Sequence, residues 1–187
     1  MSNTSNTVCP VYLSSMLNNT FRKLIHNPCK IFGEYVKPGQ TAADIGCGPG
    51  YFSVALAEMV GEEGRVLCVD LQPEMLAQVK ANAERLNLQS RIVLTQSQSN
   101  NLNIEQKVDF VLAFWMVHEV PDTRVLFDNI VSILKPNGLF MMIEPKGHTS
   151  AEQFQTEIVV ASEAGLKMSK VVKVSISRGI LFSHPEP

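Results

Sequence analysis

Between residues 41 and 144 the chain switches repeatedly between strand-like and helix-like hydrophobic periods, and this alternation restricts the fold more than any other feature. Short apolar runs read as strands over residues 41–46 (TAADIG), 65–70 (RVLCVD), 91–95 (RIVLT), 108–114 (VDFVLAF) and 138–144 (GLFMMIE). Phe52, Leu56, Met59 and Val60 recur at helical spacing up to Gly61, and Pro73 opens a helix with the apolar stripe Met75, Leu76, Val79, Ala83 and Leu86. A third helix carries Leu126, Ile130, Ile133 and Leu134 and ends at Lys135-Pro136-Asn137-Gly138. Strands alternating with helices imply right-handed crossovers, and so a mostly parallel sheet covered on both faces. After Glu144 the rhythm changes to a helix from Ser150 to Ala164, then KVVKVSIS (170–177) and ILFSH (180–184) around Arg178-Gly179. Two strands joined by a two-residue turn are antiparallel neighbours. The expected fold is therefore α/β, a doubly wound, mostly parallel seven-stranded sheet with a C-terminal antiparallel hairpin.

The rest of the chain offers little room for anything else. At 187 residues, 45% hydrophobic and 18% charged, it is sized for a single domain over residues 1–187 with a proper core. Upstream of the first strand, helices are expected over Ser15 to His26 and, past the breaker Asn27-Pro28, over Lys30 to Val36. A formal charge of −2 without a basic block gives no footprint for nucleic acid or an anionic membrane, so a small-molecule substrate is the expected partner. No apolar run approaches the roughly 20 residues of a spanning helix, and the N-terminus lacks a secretion-signal layout; a cytoplasmic location is expected. Cys9, Cys29, Cys47 and Cys68 lie far apart with no C-x-x-C pair, which argues against a zinc site and for reduced thiols.

Directly after the first strand comes DIGCGPGY, with Gly46, Gly48 and Gly50 on alternate positions. In a doubly wound sheet, ligands sit beyond the carboxyl ends of the strands where strand order reverses, and the first strand-to-helix turn lies there. Glycines at that turn let the backbone bend tightly and let a ligand lie against main chain, facing the N–H groups of the next helix. Tyr51 occupies the place of the third glycine of a G-x-x-G dinucleotide fingerprint, which disfavours a nicotinamide-dependent oxidoreductase, and no G-K-[ST] is present. Asp70, at the end of the second strand, is placed to accept hydrogen bonds from both hydroxyls of a ribose.

The segments ADIGCGPGYFS (43–53), VLCVDLQPEML (66–76), VDFVLAFWMVHEVPD (108–122) and ILKPNGLFMMIEP (133–145) resemble, in order, the class I S-adenosylmethionine-dependent methyltransferases, in particular the small ubiquinone and menaquinone biosynthesis group. The resemblance implies S-adenosyl-L-methionine as cofactor and S-adenosyl-L-homocysteine as product. It implies that Asp44, Gly46, Cys47 and Gly48 surround the methionine part, that Gly50 belongs to the same cofactor-binding turn, that Asp70 holds the ribose with Leu71 and Gln72 beside the adenine, and that Phe114 lines the pocket. Where the family commonly has Gly-Asp after the third strand, this chain has Ser97-Gln98; Gln98 can still accept from the adenine amino group through its amide oxygen.

Methyl transfer from a sulfonium is an in-line displacement, so positioning and exclusion of water supply much of the rate, and a base is needed only if the acceptor must lose a proton. His118, just past the fourth strand, is the candidate for that catalytic role, against a structural role in the loop. Glu119 reads as a loop charge and Glu144 as a hydrogen-bonding strand-end carboxylate, while His26, His148 and His184 read as surface or loop residues without metal-ligand spacing. The acceptor pocket is expected from the N-terminal helices within residues 8–36, covering the site, and the loops at 114–122 and 145–150. Tyr12, Phe21, Trp115 and Met116 give it an apolar cast that suits a small, partly apolar acceptor. A cofactor-binding protein of the same fold without catalysis is the alternative.

Overall fold

The computed structural model describes residues 25–184. Seven strands form one sheet: β1 (Thr41–Ile45), β2 (Arg65–Asp70), β3 (Ile92–Gln96), β4 (Val108–Phe114), β5 (Leu134–Pro145), β6 (Lys167–Val172) and β7 (Ser177–Ser183). Their order is β3-β2-β1-β4-β5-β7-β6, with β1 to β5 parallel and β7 antiparallel to both β5 and β6. The order reverses between β1 and β4, so the chain runs outward from this point in both directions, and right-handed crossovers send the helices of the two halves to opposite faces.

On one face lie α1 (Pro28–Phe32), α2 (Tyr51–Val60) and α3 (Pro73–Arg85), whose Phe32, Phe52, Leu56 and Val79 pack with Phe110, Leu112 and Met141 of the sheet. On the other lie α4 (Thr123–Ile133) and α5 (Ala151–Glu163), whose Phe127, Ile130, Phe154 and Ala161 meet Val111, Phe140 and Phe182. Helix starts follow their caps. Asn27 accepts from the Lys30 amide, Asp122 from the Val125 amide, and Ser150 forms a reciprocal box with Gln153.

Several expected boundaries move. The helix over Ser15 to His26 lies, but for its last two residues, outside the described residues. Helical Ile25 gives way to non-helical His26 and Asn27, the expected break; α1 then starts at Pro28, not Lys30, since a first-turn Pro sacrifices no hydrogen bond, and it ends at Phe32 instead of Val36. Strand β5 begins at Leu134; Lys135–Gly138 form a bulge opposite β4, with Asn137 at φ 63°. The hairpin turn falls at residues 173–176, not at Arg178-Gly179. Those two lie inside β7, where Gly179 sits between Ile143 and Val172 and a Cβ would come within 2.9 Å of the Val172 carbonyl oxygen. Glycine there answers a close approach of backbone, not a turn.

Candidate functional site

A cavity of about 960 Å³ opens beyond the carboxyl ends of β1, β2, β4 and β5, at the reversal of strand order. Its β1–β2 wall is mostly main chain. Gly46 and Gly48 take φ of 65° and 53°, in the left-handed region where a side chain is strained. A Cβ on Gly46 would press on Met116 at 2.8 Å, whereas one on Gly48 would meet no protein atom within 4 Å. Gly48 therefore presents bare backbone to the cavity.

The loop is held from behind by two acids. Asp70 Oδ2 accepts from the Gly48 amide and Oδ1 from the Gln72 amide, both at 2.9 Å. Burial pushes the Asp70 carboxyl above its usual range, opposed by the backbone donors around it. Asp44, also buried, accepts from Ser53 Oγ at 2.6 Å. The Cys47 thiol lies beside them, and burial together with the charges of Asp44 and Asp70 raises its pKa well above the usual value, so it stays protonated.

Ten of the residues named from the sequence for cofactor contact line this one cavity: Asp44, Gly46, Cys47, Gly48, Asp70, Leu71, Gln72, Ser97, Gln98 and Phe114. Gly50 does not. Its absent side chain faces Val79, whose Cγ2 would lie 2.9 Å from a Cβ, so Gly50 lets α2 pack on α3 instead of admitting a ligand. Nor does α1 cover the site: Ile31 and Phe32 bury it on the core, and residues 8–24, with Tyr12 and Phe21, lie outside the described residues.

At the β4–β5 end the wall is built from side chains gathered on Glu144, which is 0% exposed. Its Oε1 accepts from the Met116 amide at 3.2 Å and the Val117 amide at 3.1 Å, and its Oε2 from the His118 amide at 3.2 Å and Thr149 Oγ1 at 3.1 Å. His118 Nδ1 bonds the same Oε2. Five donors on one buried carboxylate clamp the segment 116–118, and Trp115, at φ 61°, turns away to donate Nε1–H to Ser177 Oγ at 2.9 Å. With Nδ1 taken by Glu144, His118 presents Nε2, which lies 4.0 Å from Glu119 Oε1. Burial acts to lower the His118 pKa, but the hydrogen bond and charge of Glu144 reverse this and hold it above the ordinary value. His118 lines the cavity as expected, and Glu144 has the hydrogen-bonding role read for it.

One histidine differs from its expected place, and one carboxylate carried no expectation. His26 is buried, donating Nε2–H to the Ser175 carbonyl at 3.1 Å and set edge-on to Phe114 and Trp115. His148 is an exposed turn residue, as read, and it also lines the cavity, its ring centroid 6.0 Å from that of His118. Glu157, on α5 behind Glu144, is only 7% exposed; its Oε2 has no hydrogen-bond partner, and burial plus the Glu144 charge push its carboxyl up to about 7. A legible signal existed for Glu157, because a carboxylate at helical spacing between Phe154 and Ala161 breaks an apolar stripe. His148 had none, since a loop residue's facing depends on the turn. Among the described residues, no helix is long and apolar enough to cross a membrane.

Residues 36–177 match a family model described as a methyltransferase domain. A demethylmenaquinone methyltransferase of Bacillus cereus is 33% identical over 110 residues, 58% of this chain and 46% of that protein. The chain thus spans about half the length of the curated relatives it matches. Among solved structures, a SAM-dependent methyltransferase from Aquifex aeolicus superposes with a TM-score of 0.85 at 23% identity, covering 95% of this chain and all of that one. A [4+2]-cyclase superposes at 0.69 with 12% identity over 95% of this chain and 82% of the other. At these identities the likeness is one of fold.

Proposed function

The chain belongs to the methyltransferase-domain family, and we propose that it transfers a methyl group from S-adenosyl-L-methionine to a small, partly apolar acceptor by in-line displacement. One observation carries this reading: a single cavity joins the bare backbone at Gly48 and the Asp70 carboxylate to the Nε2 side of His118. The residues fit the cofactor. The Asp70 oxygens accept from the Gly48 and Gln72 amides, with the Leu71 amide a further backbone donor, and keep acceptor capacity for the ribose, and Gly48 leaves main chain open to the methionine part. Leu71 and Gln72, with Ser97 and Gln98, flank the place for the adenine. The volume is at the upper end for small-molecule sites, room for a nucleoside with a second, smaller molecule. When bound, S-adenosylmethionine supplies a methyl on a sulfonium and leaves as S-adenosylhomocysteine.

The chain's own part is to align the acceptor, exclude water and, for an acceptor that must lose a proton, to take it on His118 Nε2. Glu144 is the positioning residue, fixing the ring by its bond to Nδ1. Trp115, Met116, Val120 and Leu126 give the acceptor end apolar walls, and the curated relative is by name a demethylmenaquinone methyltransferase.

Calorimetry with S-adenosylmethionine, S-adenosylhomocysteine and NADH tests the donor. Binding of the first two and not the third is expected; binding of NADH alone overturns the reading. Because the same fold carries a [4+2]-cyclase, activity has to be read as S-adenosylhomocysteine formed with panels of small acceptors. Cofactor binding without turnover on any acceptor would favour a non-catalytic binding protein. Once an acceptor is known, His118→Ala is expected to lower kcat with cofactor affinity unchanged, and the loss to follow an ionisation in the pH–rate profile.

A further inference from the structure

Two carboxyl groups are buried at the β4–β5 end of the site, and the packing treats them unequally. Glu144, 0% exposed, collects five donors: the amides of Met116, Val117 and His118, Thr149 Oγ1 and His118 Nδ1. Glu157, on α5 and 7% exposed, has an Oε2 without a hydrogen-bond partner. Donors stabilise a carboxylate and desolvation destabilises it, so the negative charge of the two belongs on Glu144 and the proton on Glu157. In keeping with that assignment, burial and then the Glu144 charge raise the Glu157 carboxyl to about 7.

The charges that act on Glu157 come from other elements. They are Glu144 of β5 and, in the opposite sense, His118 of the turn after β4. Arg178 of β7 stands opposite Glu144 in register but gives Nη1 to the Thr149 carbonyl at 2.9 Å. Helix α4 buries the apolar Leu126, Phe127 and Ile130, while its Arg124 and Asp128 pair with each other at 2.9 Å on the surface. Lys167 at the start of β6, and Glu152 and Glu163 on α5 itself, are exposed. Around His118, Glu119 Oε1 lies 4.0 Å from Nε2, and Lys146 and His148 line the same cavity, the His148 ring centroid 6.0 Å away. Burial lowers the His118 pKa, whereas Glu144, then Glu119 and Glu157, raise it. Glu157 and His118 thus each feel the charge of the other.

We propose that Glu157 is a positioning residue for His118 that acts through Glu144: once it gives up its proton its charge makes His118 a stronger base, and while it holds the proton the base is weaker. By linkage the converse holds. A proton taken from an acceptor by His118 Nε2 eases the loss of the Glu157 proton to water, and the charge of the cluster stays unchanged. Glu144 bridges the two, because its Oε2 bonds the His118 ring. The reaction that this pair serves rests on the methyl-transfer reading.

The test is an NMR titration of the full chain between about pH 5 and pH 9, the range in which imidazole changes charge. It follows the His118 Cε1–H signal, identified by its loss in His118→Gln, and the Glu157 carboxyl carbon, identified by its loss in Glu157→Gln. Glu157→Gln is expected to lower the His118 midpoint by about 0.5–1 pH unit, about a three- to tenfold loss of proton affinity. Glu157→Leu, which offers Glu144 no new donor, should lower it equally, and His118→Gln should raise the Glu157 midpoint by the same amount. Glu163→Gln, exposed on the same helix, should move neither. Once an acceptor is known, the ionisation in the pH–rate profile should move to lower pH in Glu157→Gln with S-adenosylhomocysteine affinity unchanged. A His118 midpoint that stays put, one moved as far by Glu163→Gln, or unequal effects of the two Glu157 variants or of the reciprocal pair overturns the proposal, as does a Glu157 that titrates with the exposed carboxylates. The titrations need no cofactor. If S-adenosylhomocysteine fails to bind, the methyl-transfer reading falls, while the midpoints still decide the coupling.

Discussion

At the β1–β2 end of the cavity the wall is main chain, shaped by Gly46 and Gly48 over two buried acids, while at the β4–β5 end it is a set of side chains and amides converging on Glu144. The first end is intolerant of a side chain at the left-handed Gly46 and Gly48. The second depends on one carboxylate, so its parts hold or fail together. Removing any one donor there leaves four others in place; removing the acceptor strands all five.

The largest expected effect follows from that contrast. Glu144→Ala leaves buried donors unsatisfied and should cost about 3–5 kcal/mol of unfolding free energy by urea denaturation, the range for breaking a buried charged network. A loss below about 1 kcal/mol would show that water replaces the carboxylate and that the two ends are not built differently. At the opposite end, Gly48→Val should cost less stability, about 1–3 kcal/mol for a strained left-handed φ, yet remove measurable S-adenosylhomocysteine binding. Retained binding in the folded variant would put the ligand elsewhere.

Smaller still is Asp70→Ala, expected to weaken S-adenosylhomocysteine binding by about 1.5–3 kcal/mol, roughly ten- to a hundredfold in Kd. Asp70→Asn should lose less, since an amide oxygen still accepts. A 2′,3′-dideoxy analogue of the cofactor should be discriminated against by the wild type and scarcely by Asp70→Ala; additive losses would mean that the carboxylate does not meet the ribose.

The smallest effect is a pH dependence, carried by Glu157 and His118 at the Glu144 end and, with the same sign, by the raised carboxyl of Asp70 at the other. Glu157 is raised from 4.5 to about 7, so the folded state binds more protons than the unfolded one in that window and stability falls as pH rises through it. His118 is raised from 6.5, so its stabilisation is complete below 6.5 and disappears as pH climbs through the folded value. Both slopes have the same sign. Glu157→Gln should flatten the lower part of the curve and stabilise the protein by about 1–2 kcal/mol near pH 8, after allowance for solvent screening. A wild-type stability that rises between about pH 5 and pH 8 would mean that neither group is shifted as its surroundings demand.

The sheet and its carboxyl-end cavity were legible in residue order, because parallel strands, crossover helices and a glycine turn each leave a local periodic trace. Asp44, Gly46, Gly48 and Asp70 lie on consecutive strand ends, so naming the strands located them. Gly50 was misread because a glycine admitting a ligand and a glycine admitting a neighbouring helix look alike in sequence. Only the Val79 side chain, supplied by another element, separates the two cases. The hairpin register was misread for the same reason: Gly179 marks a close approach to Val172 that no local pattern announces.

Sequence by itself thus determined the fold class and the glycine turn and acidic strand ends that build the β1–β2 half of the cavity, all of which depend on short-range period and turn chemistry. Tertiary structure alone decided the other half. His118 meets Glu144 across 26 residues, Thr149 reaches it from the following turn, His148 comes within 6.0 Å of His118, and Glu157 arrives from a helix packed behind them. Hydrogen bonds between side chains from different elements are set by register and rotamer to within an ångström, and that precision exists only once the sheet has closed and the helices have docked on it.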